Sequence, residues 1–322
     1  MNATRICITG GAGFIGSHLA DAFTEGGARV TVIDDLSTGR EENVPAAARL
    51  HRLDVRSPEA AELVAGGGFD LLVHEAAQVD IRTSVADPGA DASVNVVGSL
   101  NLLEAACRGG VRRVLFASTG GAVYGEQQAH PAGEDHPTRP ISPYGVAKLA
   151  VERYLYYYAA QRGLEAVALR YANVYGERQN PHGEAGVVAI FLDRLLAGRD
   201  ATIHGDGLQT RDYVHVSDVV RANLAAAGAD LPGLASVGAG VPFAIFNVGT
   251  GVETSVVELY RRLARALGIE REAVHDAAKP GEQRRSSISS ARIQRELGVP
   301  PPLPLDAGFE RTATWFRERA GG

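Results

Sequence analysis

Two residues with complementary proton chemistry stand four positions apart in the segment YGVAK at residues 144–148. A helix through this segment places the side chains of Tyr144 and Lys148 on one face. A free phenol has a pKa of about 10 and is a poor base at neutral pH. A neighbouring ammonium, together with a positively charged hydride acceptor, would stabilise the phenolate and lower the pKa of Tyr144. The pair could then take a proton from an alcohol while hydride leaves the same carbon.

A second candidate group follows a short apolar run that ends in FASTGGAVYG. This run predicts a strand over 114–118, which places Ser118 and Thr119 at its carboxyl end, where parallel sheets bind their ligands. A hydroxyl at that point can form a hydrogen bond with the oxygen of a reacting alcohol. Both residues satisfy this requirement, and both stay open as candidates.

The segment TGGAGFIG places Gly10, Gly13 and Gly16 between a predicted strand over 5–9 and a predicted helix over 14–24. Glycines at this spacing allow a tight turn, a close approach of backbone N–H groups to a pyrophosphate, and close packing of helix on strand. The helix N-terminus then offers its unpaired N–H groups to the phosphates. The strand–turn–helix context predicts a dinucleotide site.

Two carboxylates extend this prediction. Asp34 ends the second predicted strand, where it can accept hydrogen bonds from the adenosine ribose hydroxyls. A 2′-phosphate there would meet like charge, which favours NAD over NADP, although Arg40 stands close enough in sequence to pair with a phosphate. Asp54 ends the third predicted strand and can receive the adenine amino group.

Short β-branched runs alternate with amphipathic runs through the first half of the chain, which is typical of a doubly wound parallel α/β sheet of the Rossmann type. The predicted strands are 5–9, 29–34, 50–54, 71–74, 114–118 and 166–171, and the predicted helices include 14–24, 94–107 and 144–161. The pairs Gly26-Gly27 and Gly109-Gly110 predict helix ends that need a left-handed residue.

The pattern changes after Tyr171, because residues 173–212 are rich in Gly, Asn, Asp and Arg. Helices are predicted at 187–196, 216–227, 256–267 and 309–319, and a strand at 243–248. We interpret residues 1–172 as a Rossmann domain, rejoined by about 213–250. Residues 173–322 then form a smaller, interleaved α/β domain that caps the site and binds the substrate.

Length, charge and cysteine content exclude several classes of protein. A chain of 322 residues forms one large domain or two closely joined ones. A formal net charge of −6 without a basic block argues against a nucleic-acid or acidic-membrane partner. With Cys7 and Cys107 as the only cysteines, a disulfide scaffold is excluded. Neither a signal segment nor a run of membrane-spanning length is evident, so we expect a cytoplasmic protein.

These residues together resemble the extended short-chain dehydrogenase/reductase family of nucleotide-sugar enzymes, and within it the group of bacterial UDP-glucose 4-epimerases. The matching segments are TGGAGFIG, DVR at 54–56, HEAA at 74–77, YGVAK and RYANVYGERQ, which span most of the chain. The resemblance implies NAD as the cofactor, a UDP-sugar as the substrate, no metal ion, and a homodimer formed through a four-helix bundle.

The resemblance also implies roles for individual residues. Thr119 would be the hydroxyl partner, with Ser118 able to share that role, Tyr144 the base and Lys148 its modulator. The residues implied for NAD are Gly10, Gly13, Phe14, Ile15, Gly16, Asp34, Asp35, Ser37, Thr38, Gly39, Asp54, Val55, Ala76, Ala77, Gln78, Asn95, Tyr144, Lys148 and Tyr171. Those implied for the substrate are Ser118, Thr119, Asn173, Val187, Arg211, Lys279 and Glu282.

Two distal segments concern the nucleotide. In GDGLQTRDYVHVSD the resemblance implies that Arg211 pairs with the pyrophosphate, which suits the planar fork of a guanidinium. In KPGEQRRSS it implies that Glu282 receives the uridine ribose hydroxyls. The usual arginine of this motif is Lys279 here, and either Arg284 or Arg285 could supply the missing fork.

The residues after Thr119 decide which reaction the resemblance implies. Dehydratases of the family carry an Asp-Glu pair there, whereas this chain has Gly120-Gly121. Without that pair Tyr144 can still support reversible oxidation at C4, so epimerisation through a transient 4-keto sugar is predicted. The small Ser286 predicts room for an N-acetyl group.

Two alternatives stay open. A UDP-glucuronate 4-epimerase or decarboxylase needs a cation near the sugar carboxylate, for which His182 and Arg178 are the candidates. A non-catalytic NAD sensor would commonly lose the tyrosine or the lysine of the pair, and both are present here.

Overall fold

The structure is a computed structural model that describes residues 4–181, 186–234, 240–278 and 283–320. Seven parallel strands form its main sheet in the order β3-β2-β1-β4-β5-β6-β11. These strands are β1 (Arg5–Thr9), β2 (Arg29–Asp34), β3 (Arg49–Arg52), β4 (Leu71–His74), β5 (Arg113–Thr119), β6 (Glu165–Tyr171) and β11 (Phe243–Val248). The order reverses between β1 and β4, which opens a crevice at the carboxyl ends of the strands.

Helices cover both faces of this sheet, as the predicted Rossmann fold requires. One face carries α1 (Phe14–Glu25), α8 (Val216–Gly228) and α10 (Ala291–Leu297), and the other carries α2 (Pro58–Gly66), α5 (Ser99–Arg108) and α6 (Pro143–Arg162). Alternate strand residues face the two layers: Ile8 packs with Leu19 of α1, whereas Cys7 packs with Leu155 of α6. The doubly wound parallel sheet is therefore confirmed.

The predicted glycine ends are also observed. Gly27 after α1 and Gly110 after α5 both have positive φ angles, of 83° and 68°. Helix α6 begins where Ser142 accepts a hydrogen bond from the Gly145 N–H at 3.2 Å, and it ends at the left-handed Gly163. Tyr144 and Lys148 thus lie in the first two turns of a capped helix.

The predicted helix over 94–107 differs from the observed structure. In the structure this helical region begins earlier, with the two short helices α3 (Ile81–Ala86) and α4 (Pro88–Ala92). A π-helical stretch at Ser93–Gly98 follows and leads into α5. Side chains account for the irregular turn, because the Asn95 amide bonds to the backbone of Gln78 and the Ser99 hydroxyl donates to the Asn95 carbonyl. A hydrophobic pattern cannot show such a turn.

The second half of the chain adds a smaller lobe beside the crevice. Its helices α7 (Val187–Leu196), α9 (Val256–Leu267) and α11 (Leu305–Ala320) enclose a separate core around Phe191, Leu259 and Phe309. Three two-stranded pairings join β7 (Asn173–Tyr175) with β10 (Tyr213–His215), β8 (Thr202–His204) with β13 (Val274–Asp276), and β9 (Thr210–Arg211) with β12 (Thr254–Ser255).

The chain returns from this lobe to the main sheet. Helix α8 packs against α1, and β11 extends the sheet beside β6. The domain boundaries at residues 172 and 213–250 stay a prediction. Among the helices that the structure describes, none combines the length and the apolar character needed to cross a lipid bilayer.

Candidate active site

A cavity of about 1280 Å³ lies at the carboxyl ends of the strands, between the sheet and the smaller lobe. Its wall on the sheet side includes the glycine turn after β1, the end of β2 and the first turn of α6. Its wall on the other side comes from β7, α7 and α11. A cavity of this kind, with a few polar groups converging on it, is the usual form of a ligand site.

The turn between β1 and α1 requires glycine for two separate reasons. Gly10 has a φ angle of 70°, and a Cβ atom there would lie 2.7 Å from the Ala76 nitrogen. A Cβ atom on Gly16 would lie 2.1 Å from the Gly10 carbonyl oxygen. Because neither side chain can be accommodated, the first turn of α1 stays directly against the cavity, where its N–H groups can meet a pyrophosphate.

Asp34 is nearly buried at the end of β2 and lines the same cavity. Its carboxylate accepts hydrogen bonds from the N–H groups of Ala12 and Leu36, each at 2.9 Å. Burial raises the pKa of this carboxyl, and the two backbone hydrogen bonds lower it. An anion held at this point suits ribose hydroxyls and opposes a 2′-phosphate, so the residues present fit NAD.

Replacing Asp34 with asparagine is expected to weaken NAD binding by about 10- to 100-fold and to reduce the preference for NAD over NADP. Asparagine keeps the shape and one acceptor but removes the charge that repels a 2′-phosphate. Binding of both nucleotides, measured calorimetrically, checks this. The matched control is Asp306→Asn, an exposed ion-pair position outside the cavity. An unchanged NAD/NADP ratio in Asp34→Asn would contradict the assignment.

The third strand ends earlier than predicted, at Arg52, so the prediction that Asp54 ends it is wrong. The Asp54 carboxylate turns the chain instead, since it accepts the Arg56 N–H at 2.8 Å and pairs with the Arg56 guanidinium. That hydrogen bonding lowers the pKa of Asp54. Asp54 still lines the cavity, and its predicted contact with adenine stays a prediction.

Tyr144 and Lys148 share one face of α6, as the spacing predicts. The Lys148 Nζ atom lies 5.9 Å from the centre of the Tyr144 ring, 4.7 Å from that of Phe116, and donates to the Ala117 carbonyl oxygen at 2.8 Å. Lys148 is thus anchored to the carboxyl end of β5. Burial lowers its pKa to about 8, although the carboxylates of Glu75 and Asp91 oppose that shift.

The protein's own groups do not lower the pKa of Tyr144, and its predicted lowering by Lys148 together with a positive nicotinamide ring stays a prediction. Burial raises the pKa of Tyr144, and the charges of Asp91 and Glu75 raise it further. Burial and the two carboxylates therefore favour the neutral phenol. A positive charge brought by a ligand is what the site needs in order to favour the phenolate.

Thr119 and Ser118 end β5 as predicted, but their surroundings differ. Ser118 is buried, and its hydroxyl donates to the Glu152 carboxylate at 2.6 Å. Both residues line the cavity, but no protein hydrogen bond ties the Thr119 hydroxyl in the same way among the contacts described. The geometry favours Thr119 as the hydroxyl partner, and the shared role for Ser118 stays a prediction.

Gly120, the first glycine after Thr119, is closely packed. A Cβ atom on Gly120 would lie 2.5 Å from the Ile288 side chain, whereas one on Gly121 would lie 3.5 Å from the Asn173 amide oxygen, which is an ordinary contact. An acidic residue at position 120 would therefore not fit this backbone without moving Ile288. Ile288 belongs to the distal part of the chain, which here packs on the residue that follows Thr119.

Most of the predicted site residues line this one cavity. Those that do are Gly10, Gly13, Phe14, Ile15, Gly16, Asp34, Asp35, Ser37, Thr38, Asp54, Val55, Ala76, Ala77, Gln78, Ser118, Thr119, Tyr144, Tyr171, Asn173 and Val187. Gly39, Asn95 and Lys148 lie behind the lining and hold it. Gly39 packs on Asp34, and Asn95 fixes the backbone of Gln78.

The distal residues are only partly placed. Arg211 donates to the Thr210 carbonyl oxygen and is not among the residues that line the cavity. Arg284 pairs with Asp206 at 3.0 Å, and Arg285 pairs with Glu253 at 2.5 Å. The predicted residues Lys279 and Glu282, together with the candidate His182, lie outside the described residues.

Asp212 was not predicted, although it directly follows Arg211 in the sequence. Its carboxylate accepts hydrogen bonds from the N–H groups of Thr250, Gly251 and Ile288 and from the Thr250 hydroxyl. Burial raises its pKa, and these hydrogen bonds lower it. Asp212 thus joins its own segment to those at Thr250 and at Ile288, and no local pattern could reveal this.

Two further parts of the cavity wall were missed. Glu75, within HEAA, lines the cavity and accepts a hydrogen bond from the Tyr171 hydroxyl at 2.9 Å. Helix α11 contributes Trp315 and Arg319 beside the loop that follows β2. The motif HEAA could have indicated Glu75 as a site residue. A helix over 309–319 was predicted, but nothing in the sequence indicated that it would line the cavity.

Comparisons with known proteins agree with this geometry. Residues 6–249 match the model of the NAD dependent epimerase/dehydratase family. The chain is 44% identical over 321 residues to the UDP-glucose 4-epimerase of Mycolicibacterium smegmatis, covering 98% of this chain and 99% of that one. It is 41% identical to two solved UDP-glucose 4-epimerases, from Thermotoga maritima with UDP-glucose (TM-score 0.92) and from Thermus thermophilus with NAD (TM-score 0.89). Each match covers 98% of this chain and 99% of the solved chain.

Proposed function

The chain belongs to the NAD dependent epimerase/dehydratase family, and we propose that it is an isomerase that inverts C4 of a UDP-hexose, interconverting UDP-glucose and UDP-galactose. NAD is its cofactor, as the family description and a relative solved with NAD indicate. The roles of individual residues below belong to the proposal.

One observation carries the proposal. The cavity that holds the glycine turn and Asp34 also holds Tyr144 and Thr119, and the backbone beyond Thr119 is Gly120-Gly121. The site therefore contains a proton-transfer group at a dinucleotide site, without the acidic pair that loss of water would need. Oxidation and reduction at the same carbon is the chemistry that this set of groups can support.

When bound beside these groups, NAD would supply reversible hydride transfer at C4. Tyr144 accepts the proton of the C4 hydroxyl in the first half and gives it back in the second. Thr119 holds the oxygen on which charge develops. Lys148 keeps the helix anchored to the carboxyl end of β5 through its bond to Ala117 and contributes positive charge.

Inversion requires that the 4-keto sugar presents its other face before hydride returns. The nucleotide must therefore stay bound while the sugar rotates. We assign this anchoring to the distal lobe, with Arg211, Lys279 and Glu282 as the predicted contacts, and Asn173 and Val187 at the sugar. Asp212 supports this side by holding the loop at Thr250 and the segment at Ile288 together.

The experiment that tests the function uses the purified protein with several UDP-hexoses and no added NAD. We expect NMR to show UDP-glucose and UDP-galactose converting into each other, and denaturation to release tightly bound NAD. Absence of any C4 epimer would overturn the proposal. Release of carbon dioxide from UDP-glucuronate would instead support the decarboxylase alternative, for which Arg178 lines the cavity.

We also propose that the protein is a cytoplasmic homodimer. Helix α6 and the π-helical stretch carry exposed apolar side chains, including Val97, Val146, Tyr154 and Tyr157. A contiguous face of this kind fits a second copy of the same helices. Light scattering should give twice the mass of one chain, and a monomer at working concentration would contradict the dimer. The two free cysteines suit a reducing compartment.

We also propose a second substrate pair, the N-acetylated UDP-hexoses, because a small residue stands at position 286. Ser286 is small and buried two residues before Ile288, which packs on Gly120 beside Thr119. Replacing Ser286 with tyrosine is expected to lower kcat/KM for UDP-N-acetylglucosamine relative to UDP-glucose by more than about tenfold, because the added ring fills the space. Ser286→Ala, which stays small, should keep the wild-type ratio. If the wild type did not turn over UDP-N-acetylglucosamine, the N-acetylated pair would be excluded as substrates.

A further inference from the structure

Glu75 is a carboxylic acid in the cavity that the proposed reaction does not use. It follows β4 directly, and its N–H group donates to the Thr9 carbonyl oxygen at 3.1 Å. Its backbone lies against the glycine turn, since a Cβ atom on Gly10 would be 3.0 Å from the Glu75 carbonyl carbon. The half-buried side chain lines the same cavity as Tyr144. An acid is thus held rigidly at the dinucleotide site.

The Glu75 carboxylate has a defined partner. The Tyr171 hydroxyl donates to it at 2.9 Å, and Asn223 in turn donates to the Tyr171 oxygen at 2.8 Å. Burial raises the pKa of Glu75 to about 7, while the Tyr171 hydrogen bond and the Lys148 ammonium lower it. The carboxyl group therefore changes its charge near neutral pH.

The ionisable groups around Glu75 come from four elements. Lys148 and Tyr144 lie on α6, Tyr171 on β6 and Asp91 on α4, and both carboxylates act on Tyr144 and Lys148. His74, next to Glu75 on β4, stays neutral because burial and Lys148 lower its pKa to about 3. With Glu75 ionised, two carboxylates face one ammonium, and this part of the site carries one excess negative charge.

The nicotinamide must lie near Tyr144, because hydride and proton leave the same C4–OH group. Its oxidised ring is a cation and its reduced ring is neutral, so an excess negative charge stabilises only the oxidised form. We propose that Glu75 is a cofactor-tuning residue, whose carboxylate makes the protein bind NAD in preference to NADH. This inference rests on the proposed function. In that reaction, a preference for the oxidised cofactor would favour the return of hydride to the keto sugar.

Exchange of the bound cofactor tests the inference without any sugar. Holoenzyme is equilibrated with an excess of NAD and NADH in a fixed ratio, at about pH 6 and at about pH 8.5, on either side of the Glu75 pKa. The bound nucleotides are then released and quantified. In the wild type we expect the bound NAD/NADH ratio to rise by about tenfold or more with pH. In Glu75→Gln we expect a ratio close to that of the wild type at pH 6 and a clearly smaller rise with pH, because of Glu75 and Lys148 only Lys148, whose pKa is about 8, still changes its charge.

Two further variants keep the test decisive. Glu270→Gln removes an exposed carboxyl outside the cavity and should behave as the wild type. Tyr171→Phe removes the hydrogen bond that lowers the Glu75 pKa, so the midpoint should move to higher pH. A pH-independent ratio in the wild type, or a wild-type profile in Glu75→Gln, would overturn the inference. Because no sugar is present, these outcomes are independent of whether the protein epimerises UDP-hexoses.

Discussion

Replacing Tyr144 with phenylalanine is expected to lower kcat for epimerisation of UDP-glucose by about 10²- to 10⁴-fold while NAD stays bound. The ring at the start of α6 is preserved, and only the hydroxyl that moves the C4 proton is lost. Thr119 and Lys148 cannot replace it. The Thr119 hydroxyl is far less acidic than a phenol, and the Lys148 Nζ atom is held by the Ala117 carbonyl oxygen. Initial rates measured by NMR, together with the bound cofactor released on denaturation, check both parts.

The matched control for this prediction is Tyr260→Phe. The Tyr260 hydroxyl donates to the Arg271 carbonyl oxygen in the smaller lobe and does not line the cavity. This variant loses about 1 kcal/mol of stability and should keep its turnover. If Tyr144→Phe kept wild-type kcat, Tyr144 would not be the proton-transfer group. A loss of activity together with loss of NAD would instead indicate a binding role.

Most of the sheet could be predicted closely because its inner strands are largely apolar runs. β1, β2, β4 and β11 begin and end at the predicted residues, β6 differs by one residue at one end, and β5 differs by one residue at each end. The edge strand β3, with the sequence RLHR, is not an apolar run, and both of its predicted ends differ from the structure. The smaller lobe could not be predicted to the same extent. Its strands are two or three residues long, as in Thr210–Arg211 and Thr254–Ser255, and this is too short for an alternating pattern. Tertiary pairing, and not local sequence, makes them strands.

In the candidate site, too, local features could be predicted and tertiary ones could not. Residues in a local motif, such as Gly10, Asp34 and Tyr144, were predicted and lie together around the cavity. Their electrostatics were not predictable, because the charges that raise the pKa of Tyr144 come from Asp91 and Glu75 on other elements. A motif shows which groups are present. Only the fold shows which charges surround them.

The partner of Ser118 could not be predicted from a motif either, because it belongs to a buried network behind the site. Its hydroxyl donates to Glu152 on α6, and Glu152 forms a two-point ion pair with Arg170 on β6, at 2.9 Å and 2.7 Å. The Arg170 guanidinium also donates to the Tyr124 hydroxyl. The side chains of Glu152 and Arg170 are 0% and 2% exposed. The ion pair therefore joins β6 to α6, the helix that carries Tyr144, and the Ser118 hydroxyl joins β5, the strand that carries Thr119, to the same carboxylate.

Replacing Glu152 with glutamine is expected to lower the free energy of unfolding by about 3 to 5 kcal/mol, because the Arg170 charge stays buried without its partner. The same change at an exposed ion pair, Glu62→Gln opposite Arg108, should cost less than about 1 kcal/mol. Urea unfolding of the two variants and the wild type measures both values. The double variant Glu152→Leu/Arg170→Met removes both charges and should recover part of the loss, since no unpaired ion remains. Equal costs for Glu152→Gln and Glu62→Gln would mean that water reaches the pair. The ion pair would then contribute little to holding β6 against the helix of Tyr144.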